Sequence, residues 1–142
     1  MKKILIINAN YYKEISNKLI SSAKIVLKKN NFKLDIVNIP GVFEIPYTLN
    51  KYIKKYDGFL VLGCVIKGET PHFDFICRSV FDSILSISIK HNKAVGNGII
   101  TSLSLNQALD RCSSLKKSTK PNKGLESANA LIAVLNNEPE KS

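Results

Sequence analysis

Residues 58–74 read GFLVLGCVIKGETPHFD, and the change of pattern inside this stretch decides the fold class. Residues 59–66 form an apolar run without a charged side chain, which predicts a strand buried on both faces, as in parallel sheets. The next three residues suit a tight loop: Lys67, Gly68 and Glu69. The stretch therefore predicts a buried parallel strand that leaves its sheet through a glycine-containing loop.

A helix is predicted to begin directly after this loop. Thr70 is a residue type that caps helices, Pro71 fits the first helical position, and His72 then falls in the first turn. Free backbone N–H groups and the positive end of the helix dipole point to the same place there, which predicts an anion site. Because the dipole disfavours a charged imidazole, His72 is predicted to be a neutral acid/base group at that site. The alternative is a solvated histidine at an ordinary strand–helix junction.

The rest of the chain alternates between strand and helix patterns. Further strands are predicted at residues 3–8, 32–39 and 94–101, and helices at residues 15–30, 45–57, 73–87, 104–111 and 125–135. Such alternation is typical of α/β proteins in which helices cover both faces of a parallel sheet. We therefore expect one domain over residues 1–142, a flavodoxin-like three-layer sandwich around a four-stranded parallel sheet.

The composition narrows the class of protein. No stretch approaches the length of a membrane span, and the N-terminal residues lack a signal-peptide pattern. The three cysteines, Cys64, Cys77 and Cys112, form no disulfide or zinc pattern, which predicts buried free thiols and a cytoplasmic location. The net charge is +10, but only Arg78 and Arg111 of the 21 basic residues are arginines. We therefore expect a lysine-covered surface, without a nucleic-acid or membrane partner.

Ligands of such parallel sheets bind outside the carboxyl ends of the strands. Several side chains near those ends suit a small molecule. Tyr11 or Tyr12 can stack on a planar ring, Glu44 can accept hydrogen bonds from hydroxyls, and Arg111 can bind phosphate with two N–H groups. Each has a structural alternative: packing for the tyrosines, a favourable dipole interaction for Glu44, and an exposed charge at a helix end for Arg111.

Five sequence blocks occur in an order and spacing that resemble one protein family. The blocks are PGVFEIP at residues 40–46, GCVIKGETPHFD at 63–74, GNGIIT at 96–101, QALDR at 107–111 and NKG at 122–124. They resemble the 6,7-dimethyl-8-ribityllumazine synthase family, which carries out the penultimate step of riboflavin biosynthesis. The resemblance extends from about residue 4 to residue 135.

The resemblance implies a transferase that needs no metal or organic cofactor. The reaction it implies condenses 5-amino-6-ribitylaminouracil with 3,4-dihydroxy-2-butanone 4-phosphate and releases phosphate and water. A non-catalytic flavin or lumazine binder on the same fold is the alternative. A receiver-type signalling domain is disfavoured, because Asn8 and Asn10 stand where such domains need acidic residues.

The resemblance also implies roles for individual residues. His72 would transfer protons, Tyr11 would stack on the pyrimidine, and Glu126 would be a partner of His72. The other implied substrate contacts are Val42, Phe43, Glu44, Cys64, Val65, Ile66, Glu69, Thr70, Asn97, Arg111 and Lys123. Among these, Phe43 and Glu44 would hold the ribityl chain, and the phosphate would bind at Thr70 and Arg111.

A homo-oligomer is implied as well, with each site shared between neighbouring subunits. The contacts in the first three strand-end loops would come from one subunit, and Asn97 and Arg111 from the next. Members of the family form pentamers, and some pack twelve pentamers into a shell. Residues 112–123 form a long segment with four lysines, which would bring like charges together where pentamers meet. We therefore expect a free pentamer.

Overall fold

The computed structural model describes residues 1–113 and 121–141, in which strands and helices alternate along the chain. The strands are β1 (Lys3–Ala9), β2 (Lys33–Ile39), β3 (Gly58–Ile66) and β4 (Ala94–Ser102). The helices are α1 (Lys13–Lys29), α2 (Ile45–Tyr52), α3 (His72–His91), α4 (Leu105–Asp110) and α5 (Lys123–Asn136), with a 3-10 turn at Val42–Glu44. None of the helices in this part of the chain is long and apolar enough to cross a membrane.

The four strands form one parallel sheet in the order β2-β1-β3-β4. Successive side chains of a strand point to opposite faces, so each strand contributes to two cores. Ile4 and Leu60 belong to the core that α1, α4 and α5 cover. Leu5 and Phe59 belong to the core that α2 and α3 cover. The predicted α/β architecture, with helices on both faces of a four-stranded parallel sheet, is confirmed.

Three details of the prediction are wrong. Thr70 does not cap α3: the cap residue is Pro71, and its backbone oxygen accepts hydrogen bonds from the N–H groups of Asp74 at 3.1 Å and Phe75 at 3.3 Å. α2 ends at Tyr52, because the next residues turn back towards the sheet, where the Asp57 carboxylate accepts from the Lys3 N–H at 2.7 Å.

The third wrong detail concerns the thiols. Cys64 and Cys112 are buried as predicted, but Cys77 is only half-buried. Cys77 lies on α3, which buries only Val80 and Ile84 completely. The apolar spacing along α3 therefore predicted more burial than a single chain provides.

Two glycines set the position of α5. A Cβ atom at Gly98 would lie 2.7 Å from the Ser127 Oγ, and one at Gly124 would lie 2.6 Å from the backbone oxygen of Leu19. Both distances are shorter than real Cβ contacts, so the absence of side chains lets α5 approach β4 and α1 closely. This packing fixes the first turn of α5, which carries Lys123 and Glu126.

Candidate active site

A cavity of about 380 Å³ opens at the carboxyl ends of β1, β2 and β3. Seven of the predicted site residues line it: Tyr11, Val42, Phe43, Cys64, Val65, Ile66 and His72. Gly41, Tyr12 and Ile76 complete the lining. The fold therefore brings an aromatic ring that precedes α1, the PGVFE turn, the end of β3 and the start of α3 into one cavity.

The apolar wall of this cavity carries two exposed aromatic side chains. Tyr11 is 74% exposed and Phe43 is 67% exposed, so each presents ring surface to a ligand. Large apolar side chains are costly to leave in water, and a planar ligand would cover them. The cavity is thus suited to a planar, partly apolar molecule.

Glu44 borders the cavity beside Gly41. A Cβ atom at Gly41 would lie 3.5 Å from the Glu44 Oε1, so the carboxylate folds back over this glycine. The backbone oxygen of Glu44 accepts a hydrogen bond from the Thr48 hydroxyl at 2.8 Å, which fixes the residue at the start of α2. A half-buried carboxylate held in this way can accept hydrogen bonds from ligand hydroxyls at the cavity rim.

Cys64 contributes a protonated thiol to the wall. Burial, and then the nearby Cys112 thiol, raises the pKa of Cys64 to about 12. A thiol with so high a pKa is not a thiolate at neutral pH and therefore is not a nucleophile. The chemistry that Cys64 can support is contact with an apolar part of a ligand.

His72 is exposed at the first residue of α3 and lines the cavity. The preceding loop is tied to the end of β4, because the Lys67 N–H donates to the Ser102 backbone oxygen at 2.9 Å. Glu69 and Thr70 are exposed in this loop, next to His72 in sequence but outside the lining of the cavity. The imidazole thus stands where a helix N-terminus, with its positive dipole end, meets the cavity.

A second group of charged residues surrounds Arg111, at the end of α4. Its Nη1 donates to the Pro121 backbone oxygen at 2.7 Å, and its Nη2 lies 3.6 Å from the Glu126 carboxylate. The Lys123 Nζ lies 3.5 Å from the same carboxylate. Within one chain Glu126 therefore pairs with Arg111 and Lys123, and not with His72.

Arg111 lines a separate cavity of about 410 Å³ together with Thr101, Ser102, Gln107 and Asp110.

Asn97 lies away from both groups. It pairs in register with Val61, whereas Ile100 pairs with Cys64, so Asn97 sits about 10 Å below the level of the first cavity. Its Oδ1 accepts a hydrogen bond from the Ile99 N–H at 3.0 Å, and it lines a third cavity between α3 and β4. A single chain therefore does not join Asn97 or Arg111 to the cavity of Tyr11 and His72.

A family model for 6,7-dimethyl-8-ribityllumazine synthase matches residues 1–138 of this chain. The chain belongs to this family. It is 37% identical over 139 residues to the 6,7-dimethyl-8-ribityllumazine synthase of Campylobacter jejuni strain 81-176, covering 94% of this chain and 88% of the relative. The synthase of Aliarcobacter butzleri is 35% identical, with coverages of 94% and 86%. That of Bartonella bacilliformis is 35% identical, with coverages of 93% and 87%.

Three residues that line the cavity of Tyr11 and His72 were not among the contacts predicted from the lumazine synthase resemblance. Gly41 belongs to the PGVFE turn and, because it has no side chain, leaves its backbone open to the cavity. Ile76 follows His72 by four residues, so the helical period places it on the same face of α3. Tyr12 was an alternative to Tyr11 for stacking, and both line the cavity. Helical spacing could have identified Ile76, whereas the inward position of Tyr12 depends on where α1 begins.

Proposed function

We propose that this protein condenses 5-amino-6-ribitylaminouracil with 3,4-dihydroxy-2-butanone 4-phosphate to 6,7-dimethyl-8-ribityllumazine, phosphate and water, in riboflavin biosynthesis. The observation that carries the proposal is the cavity of about 380 Å³ that unites aromatic rings with His72 at the carboxyl ends of the strands. Membership of the family supports it, because the matched relatives are named as synthases. The same names favour the enzyme over a non-catalytic flavin or lumazine binder.

The pyrimidine substrate occupies the cavity on the side of Tyr11 and the end of β3. Tyr11 stacks on the pyrimidine ring, and its 74% exposure supports this role. Cys64, Val65 and Ile66 form the wall along the ring. Val42 and Phe43 cover the ribityl chain, whose hydroxyls donate hydrogen bonds to the Glu44 carboxylate.

His72 transfers protons during the condensation. The 5-amino nitrogen attacks the ketone carbon of the second substrate, and water leaves as an imine forms. Phosphate leaves after a proton has been removed from the neighbouring carbon, and the enol that remains becomes a ketone. The ribitylamino nitrogen attacks this ketone, and a second water leaves as the ring closes to the lumazine. A group that can both accept and donate a proton is needed at these steps, and His72 is the histidine that lines the cavity.

The phosphate group binds between two subunits. Glu69, Thr70 and the N-terminus of α3 approach it from the subunit that holds the pyrimidine. Arg111, Lys123 and Asn97 belong to the neighbouring subunit. The separate cavities of Arg111 and His72 within one chain support a shared site, because the two groups are needed for one substrate.

The reaction itself is directly testable. We expect purified protein that is mixed with both substrates to form lumazine, seen by its fluorescence, and to release one phosphate for each lumazine. Leaving out either substrate is the control. A protein that binds lumazine or flavin but gives no turnover above the uncatalysed rate would support the non-catalytic binder instead.

The oligomer is a pentamer in the cytoplasm. Three large apolar side chains of α3 are exposed: Phe75 at 67%, Leu85 at 60% and Ile89 at 78%. Exposed apolar side chains grouped on one helix are typical of protein–protein contacts, and a second copy would cover them. The lysine-rich segment on which the preference for a free pentamer rests lies largely outside the described residues, at positions 114–120.

The cytoplasmic location is supported by the cysteines. The free thiols of Cys64, Cys77 and Cys112 fit a reducing compartment.

Light scattering coupled to size exclusion measures this assembly. We expect a mass of about five times 15.8 kDa. The physical reason is that each site needs two neighbours and that α3 has apolar surface to cover. A particle of about sixty chains at moderate salt would contradict the free pentamer, and a monomer that retains full activity would contradict the shared site.

A further inference from the structure

Tyr12 lies beside Tyr11 and is built into the fold much more firmly. The two rings have centroids 4.9 Å apart and an interplanar angle of 81°, which is an edge-to-face pair. We propose that Tyr12 is a positioning residue that holds the Tyr11 ring in the orientation needed for stacking on the pyrimidine. This inference rests on the proposed function, because it concerns how that substrate is bound.

The backbone on both sides of Tyr11 is fixed. The Asn10 N–H donates to the Ile39 backbone oxygen at 3.0 Å, which ties the end of β1 to the end of β2. The Tyr12 backbone oxygen accepts from the Ser16 N–H at 2.9 Å, as the cap residue of α1. Tyr11 therefore has anchored neighbours, and the main freedom left to it is rotation of its own side chain.

The two tyrosines differ in burial. Tyr11 is exposed, whereas Tyr12 is half-buried and packs against the core that α1, α4 and α5 cover. Burial, then Cys64 and Tyr11, raises the pKa of Tyr12, so its hydroxyl stays protonated at neutral pH. An uncharged ring anchored in the core can act as a fixed support, and the exposed ring can rest against it.

The edge-to-face contact limits the rotation of Tyr11 before any ligand arrives. Such a pair is favourable beyond the burial of its surface, because the positive ring edge meets the negative ring face. At least one face of Tyr11 remains open, as its exposure requires. Because less side-chain freedom is lost on binding, a pre-oriented ring binds a planar ligand more tightly than a free one.

Tyr12→Leu removes the supporting ring while keeping an apolar side chain against the core. We expect the KM for the pyrimidine, and the Kd of the lumazine product measured by fluorescence titration, to rise about two- to tenfold. The KM for the butanone phosphate should change by less than twofold. Tyr12→Phe retains the ring pair and should recover the low pyrimidine KM. Tyr12→Met fills the same half-buried space and serves if the leucine variant does not fold.

A double-mutant cycle separates support from packing. In a Tyr11→Leu background, Tyr12→Leu should have no further effect on the pyrimidine KM, because no ring is left to orient. Tyr52→Leu is the matched control: Tyr52 and Tyr56 also form an edge-to-face pair, at 6.5 Å and 78°, near the amino end of β3. It should lower the melting temperature without separating the two KM values.

Three results would overturn the inference. These are an unchanged pyrimidine KM in Tyr12→Leu, equal changes in both KM values, and additive effects of the two tyrosine substitutions. Wild-type protein that is inactive with both substrates would instead refute the proposed function, so the two failures are distinguishable.

Discussion

His72→Ala is expected to lower kcat by about tenfold to a few hundredfold while the protein keeps its fold. General acid–base catalysis contributes roughly 10²–10⁴-fold in typical enzymes. The expected loss is at the low end, because holding an amine next to a ketone already supplies much of the rate. His72 is exposed at the start of α3, so its removal leaves no buried hole. Steady-state kinetics and thermal melting measure the two parts of this expectation.

His91→Ala is the matched control for this experiment. It removes the other histidine of the chain, which is the last residue of the same helix. Since α3 has 20 residues, the two imidazoles are separated by nearly 30 Å along the axis, an estimate of about 1.5 Å per residue. We expect His91→Ala to leave kcat near the wild-type value. A kcat for His72→Ala that equals wild type at every pH would refute the proton-transfer role.

The sequence predicted the fold well because its apolar patterns are strong. β3 consists almost entirely of buried residues, and its uncharged run correctly predicted a central strand.

The helix caps were predicted with less success than the strands. Ser104 and Asn122 cap α4 and α5: the Ser104 side chain accepts a hydrogen bond from the Gln107 N–H, and the Asn122 side chain accepts one from the Leu125 N–H. At α3, by contrast, the backbone oxygen of Pro71 takes the part that was predicted for the Thr70 side chain.

The site was harder to predict than the fold, because its parts are joined by tertiary structure. Contacts within one strand end, such as Cys64 with Val65 and Ile66, follow directly from the sequence order. The pairing of Glu126 with Arg111 depends on how closely α5 packs against α1. No local sequence pattern predicts the distance between α5 and α1. The half-burial of Cys77 shows the same limit, since an apolar helix face can be covered by another subunit as well as by its own chain.

Arg111→Ala is expected to raise the KM for the butanone phosphate about ten- to a hundredfold and to change the pyrimidine KM far less. A hydrogen bond to a charged group contributes about 1.5–3 kcal/mol, which gives this range. Arg111 is suited to the role because its guanidinium is half-buried and oriented by the Pro121 oxygen and the Glu126 carboxylate. Arg111→Lys should recover only part of the loss, because lysine keeps the charge but not the two-pronged geometry.

Lys29→Ala is the control, since it removes an exposed positive charge at the last residue of α1, outside the lining of both cavities. Removing Arg111 also breaks its contact with Glu126, but an ion pair at this level of exposure contributes little to stability. Thermal melting should therefore change only slightly, so that a large selective rise in one KM reports phosphate binding and not unfolding. If both KM values rise equally, Arg111 holds α4 against α5 and is not the residue that binds the phosphate.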